Sequence, residues 1–284
     1  MIDLLRELED ELARSAAPVA AALRPALAGD RLDALLEGLP QPIPDDVRAL
    51  YSWHDGAEKV YGAYRAEVYR GGMFLPLDEA VANRSGGMAN GYGWDERWLP
   101  VFMDEHFIFE AVVCGAGDGA VVTFAYLDLP SVHADYASLP DLVQSVIRRW
   151  RGGIYWLTDS GDVAIDPRAL AVQRREEDGD EVDVAGLVRT LRDGTEAAWT
   201  DALWRLRTRL YPTAVPALID MIQDPTAGRV RTYAAELLGV IGGTASTDAL
   251  RRAADSDQDE LVRGMAAAAL RDMETIDRSQ GISR

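Results

Sequence analysis

Apolar residues recur at helical spacing, and with a longer period, over residues 183–284. The segments VRTYAAELLGVIGG (230–243) and VRGMAAAALRDM (262–273) align at an offset of 32 residues, and an offset of 31 carries the same positions back to a stretch around Trp199. The stretches between these segments repeat as well. The pattern predicts about three helix pairs stacked in an array, each burying its apolar stripe against its neighbours.

The beginning of the chain has the pattern of three short helices. Apolar residues share one face over residues 2–14, 17–28 and 30–38. Pro25 is expected to kink or interrupt the second helix, because proline has no backbone N–H and its ring meets the preceding turn. These helices are expected to pack on a sheet formed by the residues that follow.

The apolar period changes to that of strands after residue 56. Strands are predicted at 60–70, 73–75, 98–102, 107–114, 120–129 and, as a hairpin, 153–166. Helices are predicted from Asp78 and over 139–150, with a Gly-rich loop at 85–97. This order predicts an α+β fold with an antiparallel or mixed twisted sheet.

A charged, glycine-containing stretch, REEDGDEVD (175–183), separates the two patterns. We therefore assign residues 1–170 to an α+β domain, 171–182 to a linker and 183–284 to the helical array.

The stretch LPQPIPDDVRALYSWHDG (39–56) resembles the signature of the SUKH superfamily, in which a proline-flanked short helix ends in an aromatic residue and an acidic-Gly or Asn-Gly pair. MFLPLDEAVAN (73–83) and WLPVF (98–102) are similar to two further elements of that family. The resemblance covers residues 30–166. It implies a SUKH-like fold and the role of a bacterial immunity protein that docks on a polymorphic toxin, often a nuclease.

The helical array resembles HEAT repeats. The Val-Arg, Ala-Ala and Leu-Gly pairs of residues 230–239 and the aspartates at helix ends fit that family. Arg231 and Arg263 are expected to pair with Asp224 and Asp257 as a structural ladder. The resemblance implies an all-α solenoid that binds other proteins.

The charge of the chain is unevenly distributed. Residues 1–182 hold 32 acidic and 16 basic side chains, whereas residues 183–284 hold 15 and 13. A field of this sign repels nucleic acid and attracts basic partners. No apolar run is long enough to span a membrane, and the first residues carry acids where a signal peptide carries bases, so a cytoplasmic location is expected.

The sequence offers no pattern of catalytic or metal-binding residues. The three histidines lack metal-ligand spacing. The single cysteine, Cys114, is expected to be a buried, inert thiol. The Gly-rich turn at 115–119 is followed by a strand rather than a helix, which argues against a phosphate-binding loop. We predict no cofactor, no metal and no enzymatic activity.

Aromatic residues with flanking acids suggest surfaces for binding a basic protein. One group follows the helix that starts at Asp45, and the other lies in the Gly-rich loop. The candidates are Trp53, His54, Asp55, Glu58, Tyr92, Trp94, Asp95 and Glu96. Trp53 and Trp98 fit a core role better, because large aromatics are mostly buried, whereas Trp94 is the better interface candidate.

Three functional hypotheses remain open at this point. The first is an immunity protein that neutralises a basic toxin by docking. The second is an intracellular scaffold or adaptor that recruits a protein through the helical array. The third is a hydrolase with carboxylates that the sequence does not identify.

Overall fold

The computed structural model describes residues 1–61, 64–89, 93–115, 119–125, 131–178 and 182–282. Its internal contacts divide the chain into two units, Met1–Ile165 and Asp166–Arg284. The candidate residue Tyr92 and the middle of the turn predicted at 115–119 lie outside the described residues.

The first unit begins with four helices, followed by short strands that two further helices interrupt. Its helices are α1 (Ile2–Arg14), α2 (Pro18–Ala22), α3 (Gly29–Leu36), α4 (Asp45–Trp53), α5 (Leu77–Ala89) and α6 (Leu139–Arg151). Its strands are β1 (Lys59–Tyr61), β2 (Tyr64–Arg65), β3 (Glu67–Tyr69), β4 (Gly72–Phe74), β5 (Trp98–Met103), β6 (Ile108–Val113), β7 (Val121–Ala125), β8 (Ser131–Tyr136), β9 (Tyr155–Leu157) and β10 (Val163–Ile165).

In the described part of the chain, β3 to β8 form a six-stranded sheet in sequence order, and every neighbouring pair is antiparallel. The pairs β1–β2 and β9–β10 form two small sheets beside it. The predicted α+β class with an antiparallel sheet is confirmed.

One face of the sheet shares its core with α1, α4 and α6. Leu8 of α1, Leu50 of α4 and Val146 of α6 join Phe74 and Val112 of the sheet in one buried cluster. Burying such a cluster contributes about 25 cal/mol for each Å² of apolar surface removed from water. This core fixes the position of the α4 end, where the first group of candidate residues lies.

The opposite face of the sheet carries a smaller aromatic cluster. Trp98, Phe109, Val113, Val122 and Phe124 alternate along their strands with the residues of the helix-side core. This alternation places successive side chains on opposite faces.

Strand β8 is an edge of the sheet and pairs irregularly with β7. Val121 pairs with Tyr136 and Val122 with Ala134, so Asp135 is an extra residue on β8. A bulge of this kind bends the strand and interrupts its regular hydrogen bonding.

The second unit is helical throughout its described residues, apart from short turns. Its helices are α7 (Pro167–Asp178), α8 (Val184–Asp193), α9 (Glu196–Arg209), α10 (Val215–Gln223), α11 (Val230–Ile241), α12 (Thr244–Ser256) and α13 (Glu260–Ile282). The pairs α8–α9, α10–α11 and α12–α13 match the predicted array, and they share one buried apolar core.

Gly239 permits close packing between equivalent helices of consecutive pairs. A Cβ atom at Gly239 of α11 would lie 2.7 Å from the Cβ of Ala269 on α13. This distance is shorter than carbon atoms tolerate, so the two backbones approach closely only because the glycine has no side chain.

The linker predicted over 171–182 differs from the structure, because residues 171–178 belong to α7. The Asp166 carboxylate accepts the backbone N–H groups of Arg168 and Ala169, and Pro167 occupies the first helical position. An aspartate followed by proline is a strong start signal for a helix. In the sequence, the high charge density of residues 175–183 instead favours a linker.

A predicted helix and a predicted loop have different bounds in the structure. The helix predicted over 17–28 stops at Ala22, and residues 22–25 instead exchange backbone hydrogen bonds with residues 55–58. Helix α5 continues to Ala89, so the loop predicted to start at residue 85 begins later. Among the described residues no helix is both long and apolar enough to cross a membrane.

Candidate protein-binding surfaces

Trp53 and His54, at the end of α4, are held by contacts within the first unit. The Trp53 ring is buried, stacks on Phe74 with centroids 6.2 Å apart, and donates its Nε1–H to the Glu9 carboxylate at 2.9 Å. His54 Nδ1 lies 2.6 Å from the Arg24 carbonyl oxygen. The core role predicted for Trp53 is confirmed.

Asp55 is buried beside them, whereas Glu58 is exposed. The Leu77 backbone N–H donates to Asp55 Oδ1 at 2.9 Å, and an Arg24 guanidinium nitrogen lies 3.3 Å from Oδ2. Burial raises the pKa of Asp55 above its ordinary value. Gly56 has a φ of 74°, a conformation that glycine adopts readily, although α4 itself already ends at Trp53. The accessible part of this group is Glu58 and the edge of His54, and its partner-binding role stays a prediction.

Trp94 packs on the aromatic cluster of the opposite sheet face. Its ring lies edge-on to Trp98, Phe109 and Phe124, with centroids 5.6, 5.5 and 5.2 Å away. A Cβ atom at Gly87 would lie 2.8 Å from the indole, so α5 also covers it. The structure therefore makes Trp94 chiefly a packing residue, and the core role predicted for Trp98 is confirmed.

Asp95 and Glu96 follow Trp94 in a tight turn. The Asp95 carboxylate pairs with the Arg97 guanidinium, with its shortest contact at 2.5 Å, and this pairing lowers the pKa of Asp95. The Glu96 side chain is exposed, while its carbonyl accepts the Arg84 Nε–H at 2.7 Å. The two candidate groups belong to different apolar clusters, so the described residues do not form one site.

A third group of aromatic residues lies on α9 and α11 of the second unit. The rings of Trp199 and Tyr233 meet edge to face with centroids 5.1 Å apart, and both residues are partly exposed. The alignment of the repeats predicts that both residues belong to the buried apolar stripe of their helices. The correction is that each packs against the core with one side and presents the other to solvent.

Two arginines lie over these rings. The guanidinium carbon of Arg207 is 5.4 Å from the centroid of Tyr233, and that of Arg229 is 5.4 Å from the centroid of Trp199. Arg207 also pairs with Glu236 at 2.6 Å. Aromatic rings covered by arginine combine apolar area with charge, a composition enriched at protein interfaces.

Helix α13 continues this face with apolar residues. Leu261 is 73% exposed and Met265 is 36% exposed. In the alignment of α11 with α13 at an offset of 32, they correspond to Arg229 and Tyr233. Equivalent positions of consecutive repeats face the same way. We name the set Trp199, Arg207, Arg229, Tyr233, Glu236, Leu261 and Met265 the array face.

The predicted ladder of arginines and aspartates forms with a shifted pairing, and Arg263 donates to the Asp257 backbone carbonyl at 2.7 Å rather than pairing with its carboxylate. Arg231 is buried and pairs with Asp257 rather than Asp224, and its Nε–H donates to the Ile222 carbonyl at 3.0 Å. Asp224 instead pairs with Arg192 at 2.5 Å. These side chains connect consecutive helix pairs and have a structural role.

A polar group on strands β6 to β8 was not predicted from the sequence. Thr123 is paired in register with Glu110 on one side and His133 on the other, and its hydroxyl donates to the Asp135 carboxylate at 2.5 Å. Thr123 and His133 are buried. The missed signal was β8 itself, because SVHADY alternates polar and apolar residues as a strand does, although the structure buries His133 and exposes Val132.

The residues that could carry chemistry are otherwise sparse. Across the described ranges no group of three or more His, Cys, Asp or Glu side chains is arranged to hold a metal ion. Cys114 is buried, and burial raises the pKa of its thiol to about 11. At neutral pH such a thiol stays protonated and is a weak nucleophile, as predicted.

Comparison with known families supports the prediction of HEAT-like repeats in the second unit. Residues 184–271 match the family model of HEAT repeats, and no match to the SUKH superfamily is found. A search of curated proteins returns no match to this chain. HEAT repeats generally serve protein–protein interaction, so the comparison supports a protein partner and a scaffold role, and gives no support to a toxin.

Proposed function

We propose that this protein is a non-enzymatic scaffold or adaptor that binds a partner protein on the array face. The observation that carries the proposal is the Trp199–Tyr233 pair, partly exposed on equivalent helices of consecutive pairs beneath two arginines. Trp, Tyr and Arg are the residues most enriched among those that dominate binding energy.

The packing of the array supports this assignment of the surface. Residues such as Leu237 and Leu238 of α11 are buried in the core, which holds the helix rigidly, while Tyr233 on the same helix reaches solvent. An aromatic side chain on a rigid helix loses little conformational entropy when a partner covers it. Stacked repeats also provide an extended surface along which one partner makes several contacts.

Neutralisation of a basic toxin is a narrower form of this proposal. It is supported by the acidic balance of residues 1–182 alone. The exposed aromatic residues favour the array as the contact surface, so the general scaffold role is the better-supported function.

Site-specific photocrosslinking in the full chain tests the proposal. A benzophenone amino acid replaces Tyr233 in one variant and Arg251, an exposed residue of α12, in the control. Crosslinked proteins are identified by mass spectrometry, purified and titrated against the unmodified chain and against Tyr233→Ala and Arg251→Ala.

The expected result is a protein captured from position 233 but not from position 251, whose affinity falls about tenfold or more with Tyr233→Ala and is unchanged with Arg251→Ala. Circular dichroism checks that both variants fold. Equal capture at both positions, or an affinity that Tyr233→Ala leaves unchanged, would overturn the proposal.

A further inference from the structure

The array face has an unequal charge balance. Arg207 is neutralised by Glu236 at 2.6 Å. Arg229 is exposed, lies over Trp199, and has no acidic partner within 4.0 Å among the described residues. The face therefore presents one arginine that forms no ion pair among the described residues.

The position of Arg229 orients its guanidinium for recognition. The guanidinium carbon of Arg229 lies over the Trp199 ring, 5.4 Å from its centroid, and the side chain is exposed, so its N–H groups are accessible to a partner. These N–H groups match the two oxygens of a carboxylate, which accept a pair of parallel hydrogen bonds. An incoming lysine or arginine would instead meet a like charge.

Apolar residues continue the face beyond Arg229. Leu261 and Met265 are four residues apart on α13, so they lie on the same side of that helix. Methionine adapts its shape to varied apolar partners. A partner that reaches both helices therefore needs apolar side chains next to its acidic ones.

We infer that the array face recognises an acidic, amphipathic segment of its partner, with a carboxylate paired to Arg229 and aliphatic or aromatic side chains on Leu261 and Met265. This inference rests on the proposed function. Nucleic acid would also offer anions to Arg229, but the exposed apolar residues Leu261 and Met265 fit aliphatic or aromatic side chains rather than a phosphate backbone.

Selection of peptides tests the chemistry of the partner without knowing its identity. Random 16-residue peptides displayed on phage are enriched on the full chain, and each enriched peptide is synthesised and titrated by fluorescence anisotropy. The titrations use the unmodified chain, Arg229→Gln, Tyr233→Ala and the control Arg251→Gln, at low and high salt. A single-stranded RNA of similar length is titrated in parallel.

We expect the enriched peptides to combine acidic with apolar residues and to bind about tenfold more weakly to Arg229→Gln, the loss expected for one charge-assisted pair. High salt should weaken this binding, and Arg251→Gln should leave it unchanged. Replacing the acidic residues of a selected peptide with lysine should abolish its binding.

The other outcomes separate the inference from the proposed function. Peptides that need Tyr233 but are basic or neutral, or that bind Arg229→Gln unchanged, would overturn the acidic class and leave the array face as a binding surface. Tighter binding of RNA than of any peptide would also overturn it. Peptides that bind independently of Tyr233, or no enrichment, would count against both.

Discussion

Two pairs of aromatic residues, one pair in each unit of this protein, differ in how far they are buried. In the first unit Trp53 and Trp98 lie inside, and the Trp53 indole N–H is satisfied by the carboxylate of Glu9. In the second unit Trp199 and Tyr233 lie half outside, and arginines rather than apolar residues lie over them. The same residue types therefore stabilise one unit and supply a surface on the other.

This difference shows which context makes an aromatic residue available for binding. A sheet has two broad faces, and both faces of this one are covered, so aromatics near the sheet are drawn into its cores. A stacked helix array buries one stripe of each helix and leaves the remaining positions open. Acidic residues next to an aromatic residue in the sequence do not indicate whether that aromatic residue is buried or exposed.

Truncation of one tryptophan in each unit tests the comparison most strongly. Trp53→Ala is expected to lower the free energy of unfolding by about 3–5 kcal/mol, because it leaves a cavity beside Phe74 and removes a hydrogen bond. Trp199→Ala should cost only about 1–2 kcal/mol, since it loses one ring contact and one cation–π contact. Hydrogen exchange, read separately over β4–β6 and over α11, measures each effect. Equal losses of protection would contradict the division into buried and exposed aromatics.

Two ion pairs of the second unit, one buried and one more exposed, extend the comparison between buried and exposed side chains. Arg231→Ala should cost about 3–5 kcal/mol, because it leaves Asp257 as an uncompensated buried charge. Arg192→Ala, which breaks the more exposed pair with Asp224, should cost about 0–1 kcal/mol. Chemical denaturation followed by circular dichroism measures both. A small effect of Arg231→Ala would mean that Asp257 finds water or another partner.

The close approach of α11 and α13 should tolerate no added side chain. Gly239→Val is expected to destabilise the array by about 1–3 kcal/mol, because the new atoms would overlap Ala269. Gly264, an exposed glycine of α13 with open space around its Cα, is the matched control. Gly264→Ala should stabilise the array by about 0.5–1 kcal/mol through helix propensity. Thermal unfolding of both variants gives the comparison, and a neutral Gly239→Val would show that the helices separate without cost.

The smallest expected effect is a pH dependence at Asp55. Burial raises its pKa in the folded state, so the native chain holds this proton at pH values where the unfolded chain has released it. The contribution of Asp55 to stability is therefore largest below its unfolded pKa and decreases as the pH rises through its folded pKa. Asp55→Asn keeps an acceptor for the Leu77 N–H but does not titrate.

The difference in unfolding free energy between the native chain and Asp55→Asn, measured at steps from pH 3 to 7, should therefore move in favour of the variant with rising pH. A difference that does not change with pH, or one that moves the other way, would contradict a raised pKa. Asp10→Asn, at an exposed position of α1 and not among the charges that act on Asp55, controls for general effects of removing an acid.

Much of the fold follows from local signals in the sequence. The repeat offset in residues 183–284 predicts the helix pairs, since burial against neighbours imposes the same spacing on each repeat. Glycine at position 56 and the proline-flanked helix before it were also predictable. Strand β8 carries the alternation of a strand, but its burial was not predictable, because His133 rather than Val132 faces the neighbouring residues of the sheet.

The array face was missed for a related reason. The repeat pattern assigned Trp199 and Tyr233 to buried positions because both are apolar. A usable signal was present, since an arginine stands four residues before Tyr233, one helical turn away. The contact of Arg229 with Trp199 of the preceding helix pair depends on how the helices stack, which single-helix periodicity does not contain.

The extra residue at Asp135 has a consequence for how this protein avoids unwanted association. An edge strand with regular hydrogen bonding is a template to which a strand of another chain can add. On β8 the bulge breaks that regularity, and the carboxylate of Asp135 is engaged by the Thr123 hydroxyl of the neighbouring strand. Strand β8 is therefore a poor site for the addition of a strand from another copy of the chain. A chain with Asp135 deleted should form fibrils more readily.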